Sequence, residues 1–496
     1  MALTGRSARA LGKVRRPGGR RLAAARPEKS RILAAPRAAT DRPGLTPARI
    51  GSERPPAGRP AEAEEEEIGR SSGLRELPSS SSGSLVWDVA EELQGEFHRE
   101  DLRSARHVRR LTEAFQRNRV GGHHVQSASN GYGIGDLGRE VLDAVARDLW
   151  GCEAAVVRAN IVSGTHAITC GLFGALRPGD VLLSCSGHPY DTLREVVGLE
   201  GEGGSGTLVD WGVEYAAVDL VPESGVLDWD AIERGLVATK PAVCFLQRSC
   251  GYQFRPTISL AEIRRLVRLV REKGPPGCKV LVDNCYGEFV EEEEPVGPSV
   301  GADLMMGSLI KSPGGTIAPC GGYIAGRADL VASAVARLTV PGAGADNGAH
   351  LGDTNRLLLQ GLYLAPAAVG EALKASRLIA HVMGRVGYEV LPSWREDRRD
   401  YVTAVKFGDR GKLLAFCEAV QASSPVGSFI RPVPGETAGY ADEVVFADGT
   451  FVAGSTGEMT CDGPLREPYA VFCQGGNHWT AWAWALDEVL AKLLRL

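Results

Sequence analysis

The sequence predicts an α/β fold, with a mostly parallel sheet between two layers of helices and a smaller α+β domain after it. From residue 150 onward, short apolar stretches typical of buried strands alternate with longer amphipathic stretches typical of helices. The 496 residues include 62 glycines and only 6% aromatic residues, which favours a chain rich in tight turns over a β-sandwich or a coiled coil. Ligand sites in such sheets lie at the carboxyl ends of the strands.

The elements expected along the chain begin with five short buried strands, at residues 181–184, 242–247, 279–282, 304–310 and 323–325. Leu260–Lys273 is predicted as a crossover helix, because its apolar residues recur on one helical face. After Pro366 we expect a long helix near residues 367–386, then a strand-rich segment and a final helix over residues 478–496. This last part is predicted as the smaller α+β domain.

The charge is unevenly distributed along the chain. Residues 1–60 carry a net charge of +12 and the remaining residues carry −17, which together give the overall −5. An acidic body argues against a nucleic-acid-binding surface. No uninterrupted apolar run reaches the roughly 18 residues that a membrane-spanning helix needs, so an integral membrane protein is not expected.

The N-terminal segment has the composition of a targeting sequence. The first 27 residues contain no acid, and the stretch to Pro60 consists mainly of Arg, Ala, Gly and Pro, which cannot bury a core. We expect residues 1–84 to be a disordered transit peptide and linker, 85–365 an N-terminal helix and the large domain, and 366–496 the small domain. A plastid is the favoured destination and a mitochondrion the alternative, while a nonspecific basic tail also stays open.

The eleven cysteines contain no C-x-x-C pair, and no set of cysteines and histidines has the spacing of zinc ligands. We therefore expect reduced, mostly buried thiols and no metal site.

A candidate anion site lies at the start of a predicted helix. Ser163, Gly164 and Thr165 follow an apolar stretch and open a helical one. Free N–H groups and the positive end of the helix dipole favour an anion at such a position, and hydroxyls add further donors. A serine or threonine at this place also serves as a simple helix cap, so the motif alone does not decide.

Two further candidates end predicted buried strands. Asp283 ends one, where an acid either caps a turn or faces a ligand. Lys311 closes another and has Ser308 three residues before it. A lysine at the end of a buried strand snorkels, forms an ion pair or is used covalently. An anion-binding helix start, a strand-end acid and a strand-end lysine together meet the needs of pyridoxal phosphate, which requires a phosphate cradle, an acid at its pyridine nitrogen and a Schiff-base lysine.

The chain resembles the fold-type I pyridoxal-phosphate enzymes, and within them the methionine gamma-lyase-like group, also called aluminium resistance proteins. The resemblance spans about residues 120–476 and is carried by the motifs I-V-S-G-T-H-A-I, L-R-P-G-D, P-Y-D-T-L, V-D-N-C-Y-G-E-F-V-E, G-A-D-L-M-M-G-S-L-I-K-S-P-G-G, A-P-C-G-G-Y-I-A-G-R and D-G-P-L-R-E-P-Y. It implies the fold-type I architecture and pyridoxal 5'-phosphate as cofactor.

The resemblance also implies roles for single residues. Lys311 is expected to carry the cofactor and Asp283 to pair with the pyridinium nitrogen. The residues expected around the cofactor phosphate and ring are Ser163, Gly164, Thr165, His166, Asn284 and Ser308. For the side chain stacked on the ring, Tyr190 and His166 are both candidates. Tyr190 is favoured, because the related gamma-lyases and cystathionine enzymes use a tyrosine there.

The segment N-G-Y-G-I-G-D-L-G-R at residues 130–139 resembles one that reaches across a dimer interface to the neighbouring phosphate, which makes Tyr132 a candidate cofactor ligand. A plain structural loop is the alternative. The resemblance implies a homodimer or homotetramer with active sites at its interfaces.

A substrate carboxylate is best bound by an arginine, whose planar guanidinium can donate two parallel hydrogen bonds to it. Arg466 is the first candidate and Arg248 the second, although either could form a structural ion pair instead.

The function implied by the resemblance is a carbon–sulfur lyase that converts a sulfur amino acid to a thiol, a 2-oxo acid and ammonia. Methionine is the substrate expected for γ-elimination. β-Elimination or transsulfuration of cysteine or cystathionine is an alternative. A noncatalytic metal-tolerance protein is another, but the presence of both Lys311 and Asp283 argues against it.

Overall fold

A computed structural model of the chain describes residues 84–200, 204 and 206–494. Apart from Ser84, the predicted transit peptide and linker lie outside these residues. The described residues form two β-sheets covered by helices. Among them, no helix is both long and apolar enough to cross a membrane, and no three His, Cys, Asp or Glu side chains are grouped as metal ligands would be.

The larger sheet has seven strands in the spatial order β1-β7-β6-β5-β4-β2-β3. Its strands are β1 (Ala154–Arg158), β2 (Val181–Ser184), β3 (Glu214–Ala217), β4 (Val243–Gln247), β5 (Lys279–Asp283), β6 (Leu304–Ser308) and β7 (Gly322–Gly326). Only β7 runs against the others, pairing antiparallel with β1 and β6. The five predicted strands are therefore confirmed to within two residues at each end.

The helices before and around this sheet are α1 (Leu85–Glu92), α2 (Gln94–Arg117), α3 (Gly122–Val125), α4 (Leu137–Trp150), α5 (Gly164–Ala175), α6 (Asp191–Val197), α7 (Trp229–Thr239), α8 (Leu260–Lys273), a 3-10 turn (Ser312–Gly314) and α9 (Ala328–Leu338).

Consecutive residues of β4 show why the strands of this sheet are continuous apolar runs in the sequence. Phe245 packs among residues of α5 and α9, whereas Leu246 packs among those of α7 and α8. Both faces of the sheet are buried, as in other parallel sheets.

The predicted crossover helix α8 matches the structure at both ends. Ser259 accepts a hydrogen bond from the Glu262 N–H (3.2 Å), and Glu262 accepts one from the Ser259 N–H (2.8 Å). This reciprocal capping box begins the helix, and five apolar residues at helical spacing bury its inner face. The boundaries of α8 were predictable because both signals are local.

The smaller sheet has five strands in the order β10-β11-β12-β9-β8, and every pair is antiparallel. Its elements are α10 (Thr354–Arg385), β8 (Glu389–Leu391), β9 (Thr403–Lys406), α11 (Arg410–Ala422), β10 (Val444–Asp448), β11 (Thr460–Pro464), β12 (Ala470–Gln474) and α12 (Trp479–Leu493). Leu378, Phe416, Val471 and Trp482 belong to the core that α10, α11 and α12 form with this sheet.

The long helix α10 starts well before its predicted position. It begins at Thr354 and continues through Pro366, whereas the sequence predicted a start near residue 367. A proline lacks the N–H that continues a helix and is unfavourable in its interior. Leu358, Leu362 and Ala365 are nevertheless fully packed into the core, so tertiary burial overrides the local signal. The helix is continuous across the predicted domain boundary at residues 365 and 366.

Candidate active site

The carboxyl ends of the neighbouring strands β4, β5 and β6 line a cavity of about 310 Å³. Gln247, Asp283 and Ser308 are the last residues of these three strands, and all three line the cavity. The N-terminus of α5 closes it on one side, while β11 and β12 of the smaller sheet also contribute to its walls. The cavity lies where the sequence placed ligand chemistry, at the carboxyl edge of a parallel sheet.

Lys311 enters this cavity from a tight turn that follows β6. Its Nζ lies 4.8 Å from the centre of the Tyr286 ring. Gly314 and Gly315 make the turn possible: a Cβ on Gly314 would lie 1.7 Å from the Leu309 carbonyl oxygen, and Gly315 has a φ of +54°. A Cβ on Gly315 would also lie 2.1 Å from the Gly361 carbonyl oxygen, so only glycine fits at both positions. The turn therefore fixes the backbone just beyond the lysine.

Burial acts to lower the pKa of Lys311, but the acidic groups around it, including Cys285, Tyr190, Tyr401 and Asp283, outweigh burial and hold the pKa above its usual range. The buried amine is thus held as a cation among the acidic groups of the cavity.

Asp283 is buried on the floor of the cavity with 4% of its surface exposed. Its Oδ1 accepts a hydrogen bond from the Cys285 N–H at 3.1 Å. Burial raises the pKa of Asp283, and that hydrogen bond and Lys311 only partly oppose the effect. No described cation lies within salt-bridge distance of the carboxylate. A buried carboxylate of this kind is stabilised by a cationic partner, and a protonated pyridine nitrogen would supply one.

The N-terminus of α5 forms the anion-binding part of the cavity. Ser163 caps the helix by accepting a hydrogen bond from the His166 N–H at 3.1 Å. The first N–H groups of a helix have no partner inside it, and Gly164 and Thr165 line the cavity. A Cβ on Gly164 would lie 3.1 Å from the Ser308 Cβ, so glycine lets the helix start approach the end of β6. The serine therefore caps the helix and lines the cavity at once.

Tyr190 lies at the N-terminus of α6, with its ring in the cavity wall. Its N–H donates to Gln247 Oε1 at 2.8 Å, and its hydroxyl contacts that of Thr165. Burial, followed by the charge of Asp283, raises the pKa of Tyr190 well above its usual range, so that the phenol stays neutral. His166, the alternative for stacking, accepts a hydrogen bond from the Val162 N–H and does not line the cavity. Of the two candidates the structure brings only Tyr190 to the site.

Arg248 and Asn284 are placed away from the cavity lining, contrary to the prediction. The Arg248 side chain is fully buried, and its Nη1 donates to Asn284 Oδ1 at 2.8 Å and to the Gly287 carbonyl oxygen at 3.1 Å. Its Nη2 pairs with Glu291. The Asn284 amide donates to Glu294 Oε2 at 2.8 Å. Both side chains are engaged in one buried network that holds the segment after β5, which leaves neither available to a ligand.

This network predicts a stability effect. Arg248→Leu should lower the free energy of unfolding by about 3 kcal/mol, because Glu291, Asn284 and the Gly287 carbonyl would lose their partner. The measurement is urea denaturation. As a control, Arg109→Ala removes an exposed ion pair with Glu113 and should cost less than about 1 kcal/mol. Equal stabilities of the two variants would contradict a structural role for Arg248.

Arg466 is also not among the cavity-lining residues. Its guanidinium forms ion pairs with Asp442 Oδ2 (3.0 Å) and Asp191 Oδ1 (3.3 Å). Burial acts to lower its pKa, but these two carboxylates outweigh burial and raise it. Because its guanidinium already pairs with two carboxylates, Arg466 is not free to bind the substrate carboxylate as predicted.

Tyr132 lies in the exposed loop between α3 and α4, and 78% of its surface is accessible. Within that loop, Gly133 has a φ of +70°, and a Cβ there would lie 2.7 Å from the Ala349 Cα. The loop is therefore pinned against Ala349 while the tyrosine points outward. Its contact with a neighbouring subunit stays a prediction.

The residues that the smaller sheet contributes to the cavity wall were not predicted from the sequence. Asp462, Thr460 and Gln474 of that sheet line the cavity, as does Tyr252 from the loop after β4. The signal for Asp462 was an acid at the start of the motif D-G-P-L-R-E-P-Y, from which only Arg466 was selected. These residues lie more than 200 positions from Tyr252, so local patterns do not bring them together.

Comparisons with known proteins agree with this geometry. The methionine gamma-lyase family model matches residues 83–494. The protein YnbB of Bacillus subtilis is 42% identical over 395 residues, which cover 79% of this chain and 92% of that protein.

Two solved structures are similar over nearly their whole length. One, from Listeria monocytogenes, is a candidate cystathionine beta-lyase involved in aluminium resistance. It is 40% identical, with a TM-score of 0.78, and the match covers 82% of this chain and 98% of that one. The other, from Clostridium novyi, is a carbon-sulfur lyase involved in aluminium resistance. It is 38% identical, with a TM-score of 0.77, and the match covers 82% and 95% of the two chains. The likeness confirms the predicted fold class.

Proposed function

The chain belongs to the methionine gamma-lyase family, and from this premise we propose that it is a pyridoxal-phosphate-dependent carbon–sulfur lyase that eliminates a thiol from a sulfur amino acid. One observation carries the proposal: Lys311, Asp283 and the N-terminus of α5 meet in a single cavity. A lysine amine, a carboxylate without a cationic partner and a helix start are the three groups that the cofactor requires.

The residues of the cavity fit the cofactor. The N–H groups of Gly164 and Thr165, together with Ser308, would hold the phosphate, while Asp283 would hold the protonated pyridine nitrogen. Lys311 would bind the aldehyde carbon through its amine. Pyridoxal phosphate, when bound, withdraws electrons from the α-carbon of an attached amino acid.

The protein then has to hold and move protons. Lys311, once its amine is free again, is the base that takes the proton from Cα. Asp283 would favour a proton on the ring nitrogen, because a nearby cation stabilises a buried carboxylate. Tyr190 would pack against the ring, and its neutral hydroxyl, which contacts that of Thr165, can donate a hydrogen bond without carrying charge. For methionine the products would be methanethiol, 2-oxobutanoate and ammonia.

β-Elimination is the second candidate, supported by the Listeria relative assigned to cystathionine beta-lyases. The test is product analysis after incubation of the holoenzyme with methionine, cystathionine or cysteine. Methionine yields 2-oxobutanoate by γ-elimination, whereas cystathionine yields pyruvate by β-elimination and 2-oxobutanoate by γ-elimination. Formation of a 2-oxo acid and a thiol from at least one substrate is expected. Absence of a 2-oxo acid from all three would contradict the proposal.

We also propose that the enzyme works as a homodimer or homotetramer, with Tyr132 reaching the phosphate of a neighbouring subunit. The exposed position of Tyr132 and the close packing of its loop against Ala349 support this contact between subunits.

Residues 1–84 are proposed to direct the protein to an organelle, with a plastid favoured.

A further inference from the structure

The smaller sheet supplies a wall of the cavity that the proposed mechanism does not use. Asp462 lies in the middle of β11, and Gln474 is the last residue of the neighbouring strand β12. Tyr252 reaches the same place from the loop after β4. None of these side chains is needed to hold the cofactor or to move the Cα proton.

Asp462 is a buried carboxylate held by two neutral donors. The Tyr252 hydroxyl donates to its Oδ2 at 2.9 Å, and the Gln474 amide donates to the same oxygen at 2.7 Å. No described Lys, Arg or His lies within salt-bridge distance of it. Burial raises the pKa of Asp462 to about 6, and the two hydrogen bonds and the more distant charge of Lys311 only partly oppose the effect. Two neutral donors stabilise a buried charge but do not neutralise it.

The surroundings of Asp462 offer hydrogen-bond acceptors that have no partner. The Gln474 side-chain oxygen and the hydroxyl of Thr460 are buried and unpaired, and these residues are only 2% and 3% exposed. The Gln474 amide nitrogen already faces Asp462, so its free atom is the acceptor. The Thr456 hydroxyl, also in the cavity lining, is buried and unpaired as well.

Aromatic rings complete this wall. The Tyr252 ring is stacked on Tyr440 with 5.7 Å between centroids and contacts Phe472 at 5.4 Å. A carboxylate, unpaired acceptors and aromatic faces together suit a cation that carries several N–H donors. A thioether methyl group would leave the same acceptors unsatisfied, which is costly in a buried site.

We infer that Asp462, Gln474 and Tyr252 form a subsite for an ammonium group carried by the sulfur substituent of the substrate. The substrate class is then a thioether amino acid with a second amino group beyond the sulfur, in preference to methionine. This inference rests on the proposed function, since it assigns the group that binds the sulfur substituent of the substrate. The subsite binds and orients the leaving group and takes no part in bond breaking.

Binding tests the subsite without any elimination. L-Lysine is the carbon analogue of S-(2-aminoethyl)-L-cysteine and has no sulfur to lose, while L-2-aminoheptanoate is its neutral counterpart. Calorimetry on the holoenzyme should show lysine binding at least about tenfold more tightly than the neutral analogue. Asp462→Asn should abolish the preference. Asp230→Asn, which removes an exposed charge on α7, should retain it. Equal binding of the two analogues by the wild-type protein would overturn the inference.

Turnover separates the inference from the proposed function. With water, S-(2-aminoethyl)-L-cysteine gives 2-aminoethanethiol, pyruvate and ammonia as its Cβ–S bond breaks and the electron pair leaves with sulfur. S-propyl-L-cysteine is the neutral partner substrate. Asp462→Asn should lower kcat/KM for the cationic substrate by at least about tenfold more than for the neutral one, whereas Asp230→Asn should leave both values at the wild-type level.

Equal losses with both substrates would show that Asp462 acts in the chemistry or in folding, and the inference would fail. If the wild-type protein uses both substrates equally well, the inference fails and the proposed function stands. If neither substrate yields a thiol but lysine is still preferred in the binding experiment, the subsite stands and β-elimination is contradicted, while the product analysis with methionine and cystathionine decides γ-elimination.

Discussion

Lys311→Ala should reduce elimination by about 10²- to 10⁴-fold, the range in which a positioned general base contributes to catalysis. The variant lacks both the amine that holds the cofactor and the base that removes the Cα proton. The fold should survive, because the turn after Lys311 is set by Gly314 and Gly315 and not by the lysine side chain. The measurement is the initial rate of 2-oxo acid formation.

The matched control for this variant is Lys273→Ala, which removes an exposed lysine at the end of α8. Its rate should equal that of the wild type, and its thermal midpoint should lie close to that of Lys311→Ala. A Lys311→Ala protein that keeps the wild-type rate would contradict the assigned role.

Asp283→Asn should lower the rate by about 10²- to 10³-fold, as expected when a charge that stabilises the transition state is removed. Asparagine keeps the shape of the side chain and an oxygen that accepts the hydrogen bond from the Cys285 N–H. It does not keep the negative charge that holds a proton on the ring nitrogen. The variant should therefore fold and bind the cofactor but react slowly.

The measurement combines the rate of 2-oxo acid formation with cofactor content. Asp230→Asn serves as the control for loss of one carboxylate elsewhere on the surface. A fully active Asp283→Asn variant would show that Asp283 does not pair with the pyridine nitrogen.

The sequence predicted the part of the site that comes from strand ends and helix starts. Asp283 ends a buried apolar run and Ser163 begins a helix, so local patterns place both at one edge of a parallel sheet. Ser308 lay inside the strand predicted over residues 304–310 and was chosen because it precedes Lys311 by three residues. Lys311 follows from the same logic together with the glycines after it. These residues could be assigned because their positions depend on strand order alone.

The remaining residues depend on contacts that are distant along the chain. Arg248 was a candidate because a guanidinium suits a substrate carboxylate, and Asn284 because of the family resemblance, yet their side chains turn into the network with Glu291 and Glu294. Asp462 was missed for the opposite reason, since only the approach of the smaller sheet brings it to the cavity. Which way a buried polar side chain turns is decided by its three-dimensional partners and not by its neighbours in sequence.

The most direct test of the account is to locate the cofactor on the chain. The purified holoenzyme is reduced with borohydride, digested and examined by mass spectrometry, alongside Lys311→Ala treated in the same way. Reduction should remove the visible absorbance and leave a pyridoxyl phosphate group on the peptide that contains Lys311. The variant should carry no such group. A pyridoxyl group on another lysine, or no reducible absorbance in the wild-type protein, would contradict the role of Lys311.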